Sequence, residues 1–270
     1  MNKKLKWLIA GAVTAAVISG YCLWQNEDIG VSYYSYTSEK IGEDLNGCKI
    51  VHISDLHNKE FGSNSSRLVK LISNEQPDII IISGDLVDSR RTDIEAALNF
   101  VSQIVEIAPV YYSTGNHEER LDPDAYAYLL SSLEEIGATV LQNETETVYI
   151  NDESFVIFGL KDGTVDSLED IYGDTDKLKL MIAHKPHLID KYSALGADLV
   201  FSGHVHGGQV RIPFLGGLLS SERVFFPKYY QGVHQVNDTT LVISRGLGNS
   251  IIPIRINNRP ELVVVTLSSK

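Results

Sequence analysis

The sequence predicts an α/β domain with a parallel component. Three observations lead there: short apolar runs recur along the chain, amphipathic helical stretches separate many of them, and ligand-type polar residues follow their ends. "VSYYSYTSEKI" alternates as a strand does, and "CKIVHIS" is an apolar run closing on polar residues, so the domain opens with two strands. The helical pattern "SRLVKLISNEQ" then leads to "DIIIIS", whose unbroken apolarity marks a buried strand. In the same way "DIEAALNFVSQIVEI" leads to "VYYST", and "DAYAYLLSSLEEIG" to shorter strands through "SFVIFGL". Later, "LKLMIAH" and "ADLVFSG" read as buried strands flanking "KPHLIDKYSALG", and "TTLVISRG" and "ELVVVTL" close the chain with more β structure. No internal repeat, low-complexity tract or linker interrupts this stretch, which is read as one domain over residues 30–270.

The first 25 residues form a separate unit. Three lysines, Lys3, Lys4 and Lys6, precede an apolar run from Trp7 to Trp24. Roughly 18 residues at about 1.5 Å each just cover a hydrocarbon core of about 30 Å. Tryptophan at both ends suits the two interfaces, and the leading lysines predict an inside N-terminus with the rest of the chain translocated. The expectation is a single-pass anchor of the cell membrane with an extracytoplasmic domain. Cleavage after Gly20, which would secrete the domain, is the alternative. Cys22 follows Tyr21, where a lipoprotein signal needs a small residue, so it is not read as a lipidation site.

The formal net charge is −12, and setting aside those three lysines leaves 20 basic against 35 acidic residues. That balance argues against a nucleic-acid partner, whose phosphates are gripped by clustered Lys and Arg. Any phosphate-binding charge must therefore be local. The two cysteines, Cys22 and Cys48, make no disulfide framework and no C-x-x-C pair.

Five segments place ligand-type side chains just past strand ends. "ISDLHN" gives Asp55 and His57, "ISGDLVD" gives Asp85, "STGNHEE" gives Asn116 and His117, "IAHKP" gives His184, and "FSGHVHGG" gives His204 and His206. In sheet-and-helix proteins the carboxyl ends of strands are where sites assemble, and the glycines before Asp85, Asn116 and His204 allow sharp turns. Each fragment alone has an ordinary explanation: a D-x-H pair on a surface, a G-D turn, an Asn helix cap. Two imidazoles one residue apart at a glycine turn are harder to explain by packing, and the ordered conjunction points to a dinuclear metal site. Five of the eight histidines belong to it; His52, inside a strand, is read as structural. A pair of divalent cations wants a bridging carboxylate with mostly neutral ligands around it. Only two aspartates stand among these residues, so a loaded site keeps net positive charge for a phosphate inside an acidic domain.

The ordered set "DLH", "GDLVD", "GNHE", "AHKP" and "GHVH" resembles the calcineurin-like metallophosphoesterase superfamily, from about residue 32 to 268. The tail "SGHVHGGQVRIPFLGGLL" with "SRGLGNSIIPIRINNRPELVVVTL" is similar to its membrane-associated bacterial phosphodiesterase branch, the YkuE/YaeI-like proteins. The resemblance implies a four-layer αββα sandwich of two mixed β-sheets with the metal site at strand C-terminal ends. It implies that Asp55, His57 and His206 hold one metal, that Asn116, His184 and His204 hold the second, and that Asp85 bridges them. It further implies that His117 protonates the leaving oxygen or steadies charge on the phosphoryl group while a metal-bridging hydroxide attacks phosphorus, so that no protein nucleophile is needed. Ligands of this mixture suit Mn, Fe, Zn, Co or Ni. Asp88 stands where purple acid phosphatases carry a tyrosine ligand, which argues against a Tyr-ligated ferric site. Val205 replaces a common Thr, and "NKEFG" is charged where relatives are small or apolar; both weaken any transfer of substrate. Glu118 and Asp88 fit roles in orienting ligands, but capping and solvation explain them equally, and neither is placed in the site.

The expected activity is phosphodiester hydrolysis on a phosphoester substrate. The anchor and the apolar segment "RIPFLGGLLSSERVFF" bring a lipid-linked phosphate or pyrophosphate into view, against the reading of Ile212, Phe214, Leu215, Leu218 and Leu219 as core or an edge hairpin. A phosphomonoesterase and a non-catalytic scaffold of the same fold are the alternatives; ligand identity does not separate mono- from diester chemistry, whereas a scaffold would lack ligands and none is missing from this set.

Overall fold

Four consecutive isoleucines explain the layering. In a computed structural model, which describes residues 2–212, 214–219, 224–249 and 255–270, Ile79 and Ile81 point into one core while Ile80 and Ile82 point into another. A strand can carry this pattern only if both its faces are covered.

The chain begins with helix α1 (Lys3–Glu27) and strands β1 (Gly30–Ser38) and β2 (Lys49–Ile53). Helices α2 (Ser66–Glu75), α3 (Ile94–Ile104) and α4 (Pro123–Glu135) then alternate with β3 (Ile79–Ile82), β4 (Val110–Tyr112) and β5 (Thr139–Val140). Asp93 and Asp122 cap α3 and α4 by accepting amide hydrogens three residues on, at 3.1 and 3.0 Å. The second half carries β6 (Glu144–Ile150), β7 (Glu153–Gly159), β8 (Lys179–Ile182), helix α5 (Ile189–Ala194) and β9 (Leu199–Ser202). A small hairpin, β10 (Arg211–Ile212) and β11 (Gly216–Gly217), precedes β12 (Gly232–Val236), β13 (Thr239–Ile243) and β14 (Glu261–Ser269).

Two six-stranded sheets result, in the orders β1-β14-β2-β3-β4-β5 and β12-β13-β9-β8-β7-β6. Strands β2 to β5 run parallel, as do β7, β8, β9 and β13; β14 is antiparallel to β2, and β6 and β12 are antiparallel to their neighbours. Both sheets are therefore mixed. Ile50, Ile79 and Ile81 of the first meet Phe155, Leu180 and Phe201 of the second between the sheets. Helices α2 to α4 cover the outer face of the first sheet through Leu68, Phe100 and Leu129. On the outer face of the second, Ile189 and Tyr192 of α5 pack with Met181 and Val200. This is the αββα layering that the resemblance implies.

His52 occupies an inter-sheet position on β2, edge-on to Phe201 at 5.2 Å, with Nε2 2.7 Å from the Ser83 hydroxyl. It is buried and structural, as read from the sequence.

Helix α1 extends beyond the apolar run read from the sequence, and its last turns touch the rest of the chain. The Asn258 amide donates to buried Gln25 Oε1 at 3.2 Å, the Tyr21 hydroxyl to Asn257 at 2.6 Å, and the Asn249 side-chain amide to Asn26 at 2.8 Å. Arg259 lies over the Trp24 ring at 5.7 Å.

Within the apolar segment, β10 and β11 form a two-stranded hairpin separate from both six-stranded sheets. Ile212, Leu218 and Leu219 are half-buried, whereas Phe214 and Leu215 are exposed. Pro213 and residues 220–223 of that segment, and residues 250–254 of the closing motif, lie outside the described residues.

Candidate metal centre

The five turns meet because parallel order puts the carboxyl ends of β2, β3, β4, β8 and β9 on one edge of the sandwich. The turns are tied to one another through backbone groups. The Asp55 and His57 amides donate to Gly84 O and Asp85 O, both at 3.0 Å, and Gly248 N donates to Asp55 O at 2.6 Å. His184 crosses between the sheets, its Nδ1 2.7 Å from Ser83 O, and the His204 amide reaches the Asp55 carboxylate at 3.0 Å.

Five of the ligand-type residues adopt a conformation that is rare for anything but glycine. Asp55, His57, Asp85, His204 and His206 have φ between 48° and 71°. The glycines were expected to supply these turns, and only Gly84 does so through a positive φ, of 89°. Gly115 and Gly203 are needed for space: a Cβ on the first would strike Asp85, and on the second Ser54 and Asp55.

All eight predicted site residues come together, each at most 7% exposed. His57 Nε2 lies 3.2 Å from His206 Nε2, and Asp55 Oδ1 is 3.5 Å from His206 Nε2 and 3.9 Å from His57 Nε2. On the other side, His184 Nε2 lies 3.2 Å from His204 Nδ1 and 3.2 Å from Asp85 Oδ2. That same Oδ2 is 3.6 Å from His57 Nε2, so one carboxylate oxygen belongs to both groups. Donor atoms about 2.1 Å from a shared ion stand roughly 3.0–3.4 Å apart in octahedral or tetrahedral arrangements, and the closest of these spacings match. Buried Asn116 Oδ1 and His57 Nδ1 have no hydrogen-bond partner among the described residues. An unpaired buried amide oxygen, on the turn whose next residue bonds the Asp85 carboxylate, fits a cation. The residues present therefore suit divalent metal, and a third trio within ligand distance joins His57, Asp88 and His117.

Charge within the cluster favours ligation. Burial pushes the His206 pKa down to about 3 and lowers that of His57, keeping both rings neutral. Burial also acts on Asp55 and Asp85, raising their pKa values, but the surrounding histidines outweigh it and hold both carboxyls below the usual range. His184 is the exception. Burial opposes its charge, yet Asp85 and Asp55 raise it to about 10, so a metal must displace its proton.

His117 is placed differently. Its amide donates to Asp85 Oδ1 at 2.8 Å, and its Nδ1 accepts the Ser89 amide hydrogen at 3.1 Å. Burial lowers its pKa to about 4, so the neutral ring carries its proton on Nε2. Its ring centroid is 4.5 Å from that of His57.

Two supporting residues were passed over or unseen in the sequence. Glu118, wholly buried, accepts the amide hydrogens of Asp85 at 2.9 Å, Val87 at 3.1 Å and Gly115 at 2.8 Å, clamping two ligand turns. Arg255 is buried with its guanidinium 3.5 Å from His206 Nδ1 and donates to Gly248 O, Arg245 O and Asn249 Oδ1. Glu118 was visible only as the fourth residue of "GNHE". Arg255 carried no signal, since nothing in the local pattern marks an arginine as buried beside His206, 49 residues earlier.

Comparison with known proteins agrees with this geometry. The calcineurin-like phosphoesterase model matches residues 48–208. The metallophosphoesterase YkuE of Bacillus subtilis is 27% identical over 274 residues, covering 97% of this chain and 94% of its own. YkoQ of the same organism is 30% identical over 225 residues, covering 79% and 81%. The phosphodiesterase YaeI of Escherichia coli is 27% identical over 223 residues, covering 81% and 82%. With the family model spanning more than half its length and these relatives most of it, the chain belongs to the calcineurin-like phosphoesterase family.

Proposed function

We propose that the chain is a membrane-tethered phosphodiesterase with two divalent metal ions, drawn from Mn, Fe, Zn, Co and Ni, and that its substrate is a lipid-linked phosphate or pyrophosphate. Asp55, His57 and His206 would hold one ion, Asn116, His184 and His204 the other, and Asp85 both. The observation that carries this reading is the Asp85 oxygen shared between the His57 and His184 sides. Bound ions supply Lewis acidity, lowering the pKa of water and neutralising phosphoryl oxygens. The chain's own residues orient the donors and exclude bulk water, and His117 presents Nε2–H to a phosphoryl or leaving-group oxygen. Cys48 is no rival nucleophile, because burial, with Asp78 adding to it, pushes its thiol to about 12.

The diester preference draws on the likeness to YaeI, whose name is that of a phosphodiesterase. The tether draws on α1, which is long and apolar enough to cross a bilayer and leaves its apolar window unburied. Residues 1–25 would then anchor residues 30–270 on the extracytoplasmic side, as the leading lysines favour.

The test uses the full chain in detergent, stripped of metal and reloaded with Mn²⁺, on bis-p-nitrophenyl phosphate and p-nitrophenyl phosphate. Metal-dependent diester cleavage is expected, with His206→Ala losing metal and turnover, and His117→Ala keeping metal and losing rate. Preference for the monoester would make the chain a phosphatase, and no turnover of either ester with two metals bound would favour a scaffold.

A further inference from the structure

The β10–β11 hairpin leaves the metal site directly. Arg211 is five residues after His206, no more than about 17 Å of extended chain. The Asn258 side-chain amide pins the intervening turn by donating to His206 O at 2.7 Å and Gln209 O at 3.1 Å. The tip of the hairpin is apolar and points at solvent: Phe214 is fully exposed and Leu215 is 64% exposed. Phe225 and Phe226, also exposed, run beside Leu218 and Leu219 through one β-bridge and a 3.1 Å backbone hydrogen bond. An apolar patch so placed asks for a partner.

The hairpin borders an open groove of about 400 Å³, lined by Arg211, Ile212, Phe214, Leu215, Gly216, Tyr230 and Asn257. Arg211 is its one cationic lining residue. The guanidinium Nε is buried without a hydrogen-bond partner among the described residues, and Glu261, the acid nearest in influence, is taken by Arg245 at 2.9 Å. A guanidinium left so, beside apolar side chains, fits an amphiphile with an anionic head.

The occupant follows from what the groove touches. The hydroxyl of Tyr21, near the end of the α1 apolar run, donates to Asn257 at 2.6 Å, and the Asn257 side-chain amide donates to Arg211 O at 3.3 Å. Tyr21 and Trp24, their ring centroids 5.9 Å apart, are the residue types that sit at headgroup level. The groove is therefore continuous with the point at which α1 would leave a bilayer. We propose that it is a headgroup site for an anionic phospholipid of that bilayer, with the lipid phosphate on Arg211 and the tip residues Phe214 and Leu215 in the interfacial apolar layer. The proposal rests on α1 as an anchor and is independent of the metal chemistry.

The test uses the full chain, reconstituted into phosphatidylcholine vesicles with and without phosphatidylglycerol. In a Cys22→Ser background, with Cys48 buried, an environment-sensitive fluorophore is attached at Phe214→Cys, at Leu215→Cys, or at Tyr149→Cys on the opposite edge strand. Iodide is expected to quench the first two about fivefold less than the third, as for an interfacial apolar face. Spin-labelled phosphatidylglycerol should quench them more than spin-labelled phosphatidylcholine. Arg211→Gln should remove about fivefold of that preference, and excess inorganic phosphate should leave it in place. Equal iodide access at 214, 215 and 149 in a chain that floats with the vesicles would overturn the proposal, as would a lipid preference that is unchanged by Arg211→Gln or erased by free phosphate. A chain that does not float would overturn the anchor and this site together.

Discussion

Glu118→Gln tests whether the turns of the metal centre are held by one buried carboxylate. Oε2 accepts from Asp85 N at 2.9 Å and Gly115 N at 2.8 Å, while Oε1 accepts from Val87 N at 3.1 Å. A glutamine keeps one acceptor oxygen and turns the other into a donor. In its better orientation the oxygen serves Asp85 and Gly115, and the new NH₂ group faces the Val87 N–H. One buried amide is then unsatisfied, costing about 1–3 kcal/mol, and two hydrogen bonds lose charge assistance worth about 1 kcal/mol each. The expected loss is about 3–5 kcal/mol of unfolding free energy, with weaker metal binding because Asp85 and Asn116 sit on the loosened turns. Burial, with the Asp85 charge adding to it, raises the Glu118 pKa to about 7, so the wild-type side chain takes up a proton as pH falls through 7. The folded pKa stands above the unfolded value of about 4.3, so this group alone makes the fold relatively more stable in acid. Glutamine does not titrate, so the gap between wild type and variant should widen as pH falls through 7. Urea unfolding of the metal-free full chain in detergent, with metal titrations of both proteins, supplies the numbers. If the variant matched wild type within about 0.5 kcal/mol and kept its metal affinity, the clamp would have no energetic role.

Two further outcomes follow from the titrating histidines. Burial depresses His52 to about 3, so the native state binds fewer protons than the unfolded chain between roughly pH 3 and 6.5; this stability is complete above that window and falls with acid by up to about 1.4 kcal/mol per pH unit. His52→Gln should flatten that slope, and parallel urea curves for the two proteins across the window would refute it. His184 is held protonated by Asp85 and must yield Nε2 to a metal, so loading at pH 7 should release about one proton from this residue while neutral His57 and His206 release none. Calorimetry of metal binding in buffers of different ionisation enthalpy measures the release, and a value near zero would mean that His184 is already neutral.

What could be read in the sequence is what local pattern dictates. The run "DIIIIS" had to be a strand covered on both faces, and Asp55, Asp85, Asn116, His117, His184, His204 and His206 could be aligned at strand ends because parallel topology always gathers those ends. The docking of α1 was illegible for the opposite reason: Tyr21 with Asn257, Asn26 with Asn249 and Gln25 with Asn258 join residues from opposite ends of the chain, and no periodicity encodes such pairs. Glu118 was visible but ambiguous. Two residues past Asn116 it fits the first turn of a helix, where acids are favoured, and only the fold shows that its amide partners lie on two different turns.

The conformation of the ligands was hidden as well, and it bears on how the site works. The sequence places sharp turns at glycines, yet Asp55, His57, Asp85, His204 and His206 themselves adopt left-handed backbone. Each such residue costs about 1–2 kcal/mol against the ordinary regions. The offset comes from neighbours: the turns after β2 and β3 exchange amide hydrogens, Glu118 holds the turns after β3 and β4, and the His204 amide rests on Asp55. Gly115 and Gly203 matter because this interlocking brings turns closer than a Cβ would permit. A site so constrained by the chain holds its donors in place before any ion arrives. Metal binding then owes little to local folding, and the rigidity of the two sheets fixes the separation between the His57 and His184 sides of Asp85.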